Sequence, residues 1–201
     1  GFAKAFRDDY GQRMQVRGKR PEGPLVRPSP LSVEEFYDSY VASTAAEFVG
    51  VFEAEEPTCV FVGFPGPHEP WDAPGEYATM YDPADVPDPL PRPELSDSAP
   101  EHVRQRPDFQ PSGLDPQRVR ELRANYYGKC SLIDRCVGDI LAAYEARGWL
   151  DNLLVIFWSD HGEMAGDHDR LYKQTFHESS VRVPLMVRWP GHVPAGRTDE
   201  A

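Results

Sequence analysis

The apolar run Leu153-Leu-Val-Ile-Phe-Trp158 stops abruptly at Ser159-Asp-His-Gly-Glu163, and that junction constrains the fold more than any other feature of the chain. An unbroken apolar run with β-branched and aromatic members suits a strand covered on both faces, as in a parallel sheet flanked by helices. Two more runs share this character. Cys59-Val-Phe-Val-Gly-Phe64 is bounded by Pro57 and Pro65, and Val183-Pro-Leu-Met-Val-Arg188 ends at Trp189-Pro-Gly191. Helical patterns lie between them. Ser32 with Glu35 is a capping box and predicts a helix over about 33–49. Asp115-Pro116 and Gly148 bracket a long amphipathic helix, marked by Val119, Leu122, Tyr126, Ile133, Val137, Ile140, Leu141 and Tyr144. Strands alternating with helices predict an α/β fold built on a mostly parallel sheet sandwiched by helices.

One stretch resists that pattern. Ten prolines fall between Pro74 and Pro116, among many acids, so residues 72–113 are expected to form a long surface loop that moves and tunes specificity. The net charge of −12 repels phosphate backbones and argues against nucleic acid as a partner. The lead segment, 1–31, is locally basic and reads as a solvated edge. Cys59, Cys130 and Cys136 have no metal-thiolate spacing and are expected to be buried thiols in a reducing compartment, hence a cytoplasmic rather than secreted setting. The longest apolar run is far short of the ~18 residues of a membrane span, so no membrane partner is expected.

Parallel α/β sheets gather ligands beyond the carboxyl ends of their strands, where the connecting loops converge. His68 follows the 59–64 run, in Pro65-Gly-Pro-His-Glu-Pro70. Asp160 and His161 follow the 153–158 run. A carboxylate beside an imidazole can face one divalent cation, Gly162 lets the backbone turn there, and Lys173 offers a point charge to an anionic oxygen. A local cluster of His168 and His177 with Asp167 is an alternative on spacing alone. Glu178 and Arg182, four apart, read as a structural pair.

Four blocks carry a more specific signal: Phe61 to Pro74, Tyr126 to Asp134, Leu154 to His168, and Leu171-Tyr-Lys followed by Phe176 to Gly191. Together they resemble, in order, the sulfatase family of the alkaline phosphatase superfamily. The resemblance implies an alkaline-phosphatase-like fold, with residues 1–201 as the C-terminal portion of a catalytic domain. It also implies one divalent metal, Ca²⁺ in first place and Mn²⁺ or Mg²⁺ as alternatives, held in part by Asp160 and His161. Lys173 would match the lysine on the ester oxygens and His68 the histidine beside the leaving group. The implied substrate is a small-molecule sulfate ester, and assembly as a homo-oligomer stays open.

Two departures shape the expectation. Many sulfatases have Asp-Asn where this chain has Asp160-His161. The histidine is more similar to the choline-sulfatase and phosphonate monoester hydrolase branches, which makes phosphonate mono- and phosphodiesters an alternative substrate class. The family's Cys/Ser-x-Pro-x-Arg block, source of its formylglycine nucleophile, occurs nowhere in the chain. An internal piece of an enzyme, inactive alone, is therefore expected, with a truncated binding module as the rival reading.

Overall fold

Asp115 accepts a hydrogen bond from Gln117 N (3.2 Å) and, with Pro116 in the first turn, starts the longest helix, α2, Pro116–Ala146. Gly148, at φ +69°, ends it as expected. In the computed structural model, which describes residues 26–53, 56–92, 94, 98–104 and 113–196, α2 packs against α1, Tyr37–Val51. Phe36, Ala42, Leu132, Cys136 and Ile140 fill the seam together with Leu31, Ala73 and Tyr77. The capping box forms, Ser32 Oγ accepting from Glu35 N (3.2 Å) and Glu35 Oε2 from Ser32 N (3.4 Å), yet it closes a turn rather than the helix. Phe36 is wholly buried in an extended conformation, and that anchor delays α1 to Tyr37.

The proline-rich stretch is anchored in the core at its start, contrary to the surface loop expected there, while most of 79–92 is exposed as expected. Trp71, Asp72, Ala73, Tyr77 and Val86 are buried, and the 3₁₀ turn Gly75–Ala78 lies on α2. Proline prevents helix and ladder here but does not prevent burial, because Asn125 Oδ1 and the 26–29 run take up the backbone groups: Ala73 N donates to Asn125 (3.0 Å), Arg27 N to Trp71 O (3.1 Å) and Ser29 N to Ala73 O (3.0 Å). The basic part of the lead segment, 1–25, lies outside the described residues, as do 93, 95–97 and 105–112 of the loop.

The described sheet is two-stranded, β1 Val155–Trp158 against β2 Leu185–Arg188, and it is antiparallel, with Val155 opposite Arg188 and Trp158 opposite Leu185. The expected parallel relation of these two runs is thus corrected. The chain leaving β1 folds back on the chain entering β2, where Gly162 N donates to Ser180 O (2.8 Å), and the helix between the strands is only the turn Glu178–Val181, too short for a parallel crossover. Arg182 N closes that turn onto Glu178 O (2.8 Å), so these two residues meet through the backbone. The 59–64 run, expected as a strand, has no ladder partner among the described residues. Its alternate residues are exposed, Phe61 at 75%. Cys59 on this run and Cys130 on the outward side of α2 are exposed; only Cys136 is buried as expected, and none forms a disulfide.

α2 comes close enough to the 75–78 turn that a Cβ on Gly128 would sit 1.9 Å from Tyr77 O, whereas one on Gly138 would meet nothing within 4 Å. Gly128→Ala should therefore destabilise by about 1–3 kcal/mol through overpacking. Gly138→Ala should stabilise by up to ~1 kcal/mol through helix propensity. Paired denaturant melts check this, and equal shifts in one direction would refute the close approach.

Candidate active site

His68 and Lys173, 105 positions apart, meet directly: Lys173 Nζ hydrogen-bonds His68 Nε2. An ammonium has only hydrogens to give, so Nε2 accepts and the imidazole proton sits on Nδ1. That nitrogen faces Glu69, 2.7 Å from Oε2 and 3.0 Å from the carbonyl. The His161 ring stands edge-on to His68 with centroids 6.0 Å apart. Asp160 lies beside His161, Oδ2 3.7 Å from Nε2. The four residues singled out in the sequence thus share one locality. His168 and His177 pair with each other, their rings tilted by 34° with centroids 4.2 Å apart, and His168 Nδ1 is turned to Pro91 O (2.9 Å).

The loop carrying His68 is fixed from below by two side chains that periodicity did not single out. Lys129, 3% exposed on α2, donates to His68 O (2.6 Å) and Pro70 O (3.1 Å) and lies 3.9 Å from the buried Asp72 carboxylate. Asp38 of α1, also buried, accepts from Gly66 N (2.9 Å). Asn125 sits one helical turn before Lys129, so one face of α2 reads out the whole 68–73 backbone. A lysine inside a helical repeat ordinarily signals the solvated face. Only its i, i+4 spacing from a polar partner hinted otherwise.

The Lys173 side is built from a tight loop. Ala165, His168, Asp169 and Tyr172 all have positive φ without being glycine. Such conformations cost roughly 1–3 kcal/mol each and persist where surrounding bonds enforce them. Glu163 Oε1 accepts from Ala165 N (3.1 Å) and Tyr172 N (2.6 Å). Burial raises its carboxyl above the usual value, with those two amides pulling the other way. Gly162 serves this site by steric absence, since a Cβ there would lie 2.1 Å from Ser179 O.

Asp160 and His161 fit a metal ion in one respect that geometry can test. His161 Nδ1 faces Gly162 O (2.8 Å), so it carries the proton and leaves the Nε2 lone pair on the side of Asp160 Oδ2, the outer-shell arrangement of a ligating histidine. Asp160 is well exposed, at 85% of its side-chain surface. No group of three or more His, Cys, Asp or Glu that could hold a metal ion converges among the described residues.

A family profile described as Sulfatase matches residues 1–201. The chain is 34% identical over 194 residues to the multifunctional alkaline phosphatase superfamily protein PehA of Trinickia caryophylli, covering 89% of this chain and 37% of that protein. It is 30% identical over 198 residues to an arylsulfatase of Clostridium perfringens, covering 98% and 41%. The phosphonate monoester hydrolase of Agrobacterium radiobacter superposes with a TM-score of 0.70 at 28% identity, over 88% of this chain and 37% of that one. The chain therefore spans about two fifths of the length of these relatives.

Asp167 ties the proline-rich segment to this region, accepting from Leu90 N (2.9 Å), Arg123 Nη1 (3.0 Å) and Ser179 Oγ (2.5 Å). Burial opposes its ionisation, but the Ser179 hydroxyl, the Leu90 amide and Arg123 outweigh it and hold the carboxyl below its usual value. A depressed folded value means that its stabilisation is complete above the unfolded value of about 3.9 and is lost as pH falls through the lower folded value. Asp167→Asn should lower stability at neutral pH and flatten the decline as pH falls below about 4. Melts across that range check it, and an unchanged acid slope would contradict the assignment.

Proposed function

Because the chain belongs to the sulfatase family, we propose that it forms the proton-donating and part of the metal-binding side of a hydrolase of small-molecule sulfate esters, acting within a longer polypeptide. The observation that carries this reading is the contact of Lys173 Nζ with His68 Nε2 beside His161. An ammonium and an imidazole brought together across the sequence, at the exit of β1, form a place for an anionic ester with its leaving oxygen against the pair.

In this reading Lys173 binds a non-bridging oxygen of the ester and stabilises charge developing there. When bound ester draws Lys173 away, His68 takes up a solvent proton at Nε2 and gives it to the departing oxygen, while Glu69 beside Nδ1 keeps the ring oriented. Asp160 Oδ2 and His161 Nε2 would hold one divalent ion, with Ca²⁺ preferred and Mn²⁺ or Mg²⁺ as alternatives, which supplies Lewis-acid polarisation of the transferred group. The remaining ligands and the nucleophile, a formylglycine in the family, would come from residues outside this chain. The exposed apolar side chains of β1 and β2, Ile156, Trp158, Leu185 and Met186 among them, support placing both strands in a larger, mostly parallel sheet sandwiched by helices. Apolar faces of that kind are covered by helices in an α/β fold.

Phosphonate monoesters are the second reading, favoured by the superposition on a phosphonate monoester hydrolase and by His161 in the metal pair. A full-length enzyme carrying this sequence should hydrolyse 4-nitrophenyl sulfate or a phenyl phosphonate ester in a metal-dependent way. Asp160→Ala and His161→Ala should each weaken metal binding in calorimetry by about tenfold or more. Lys173→Ala should lower kcat by about 10²–10³. Faster turnover of the phosphonate selects the second reading. Turnover of neither ester by metal-loaded enzyme sinks both.

A further inference from the structure

We propose that Glu163 is a positioning residue: its side chain holds Tyr172 in a left-handed backbone conformation and so aims Lys173 at His68. The inference rests on the placement of Lys173 in the site above and adds the device that keeps it there.

Tyr172 precedes Lys173 and has φ +70°. A bulky aromatic residue adopts that region only under constraint. The constraint is visible at both of its backbone polar groups. Tyr172 N donates to Glu163 Oε1 (2.6 Å), and Tyr172 O accepts from Met164 N (2.8 Å). The same Glu163 oxygen accepts from Ala165 N (3.1 Å), another positive-φ position, so one carboxylate oxygen closes both ends of the 165–172 loop. On the far side, Lys173 O is held by Ser180 Oγ (2.5 Å) and Thr175 N (2.8 Å). The Lys173 backbone is thereby gripped before and after, and its side chain emerges onto His68 Nε2. Release of the Tyr172 amide would let that residue return to the β or right-handed region. The direction of the next side chain would rotate with it. What this role needs from residue 163 is the reach of an acceptor oxygen, not a negative charge. The competing role is a counter-ion for Lys173, which would need charge and tolerate a shorter reach.

Glu163→Gln and Glu163→Asp separate the two. In the full-length enzyme assayed on 4-nitrophenyl sulfate with saturating metal, Glu163→Gln keeps the acceptor and should retain most of kcat. Glu163→Asp keeps the charge but falls one methylene short, and should lose about 10²-fold, the scale of an ångström-sized misplacement. In the Lys173→Ala background, Glu163→Asp should cause no further loss, because the residue acts through Lys173. A crystal structure of Glu163→Asp should show Lys173 Nζ withdrawn from His68. The reverse order of the two variants, multiplicative losses in the double variant, or an intact Lys173–His68 contact would overturn the proposal while leaving the functional reading in place. Full activity of Lys173→Ala would overturn that reading and this inference together.

Discussion

The hydrogen bonds from Lys129 Nζ to the carbonyls of His68 and Pro70 are the constraint on which the site depends. They join the longest helix to a segment that cannot form helix or ladder of its own, because proline recurs through it. Asn125 continues the same grip at Ala73, and Asp38 of α1 adds a third hold at Gly66. The α1–α2 seam is thus more than a core. It is the frame against which the backbone under His68 is measured.

A buried ammonium is an expensive way to hold a loop. Desolvation costs several kcal/mol even after relaxation, and the Asp72 carboxylate at 3.9 Å returns only part of it. Apolar residues at 72 and 129 would serve stability as well or better. What they would not supply is a directed donor to the carbonyls of His68 and Pro70, and a group with the role proposed for His68 has to be held to within about half an ångström. The arrangement makes sense as geometry obtained at the expense of stability, and the positive-φ loop beneath Lys173 follows the same logic.

Legibility in the sequence followed how local each signal was. α2 was readable end to end because cap, first-turn proline and terminal glycine are neighbours of the helix they bound. The junction at Asp160 was readable because an apolar run breaks at a charged pair. The antiparallel pairing of β1 with β2 was not, since it depends on the chain reversal at Gly162 and Ser180, and neither residue announces a partner. Proline count hid the burial of Ala73, Tyr77 and Val86, because proline reports on backbone geometry and not on solvent. Lys129 and Asn125 were hidden for a related reason: helical spacing sorts residues by polarity, and a polar residue facing inward breaks the sorting rule.

The two halves of the candidate site stand in different physical conditions. His68 and Lys173 are half-buried and held through their backbones by Lys129 and Ser180, so their mutual geometry is set within this chain. Asp160 is exposed at the strand end, and among the described residues its Oδ1 accepts from the adjacent His161 N (3.0 Å). A hard cation needs about six oxygen-type ligands, and affinity grows steeply as rigid donors are added. In the proposed reading metal affinity is a property of the full-length enzyme, whereas the position of His68 is already encoded in the packing of α2 beneath its loop. Changes at the metal pair should consequently be felt in binding, and changes beneath the loop in the rate at which bound ester reacts.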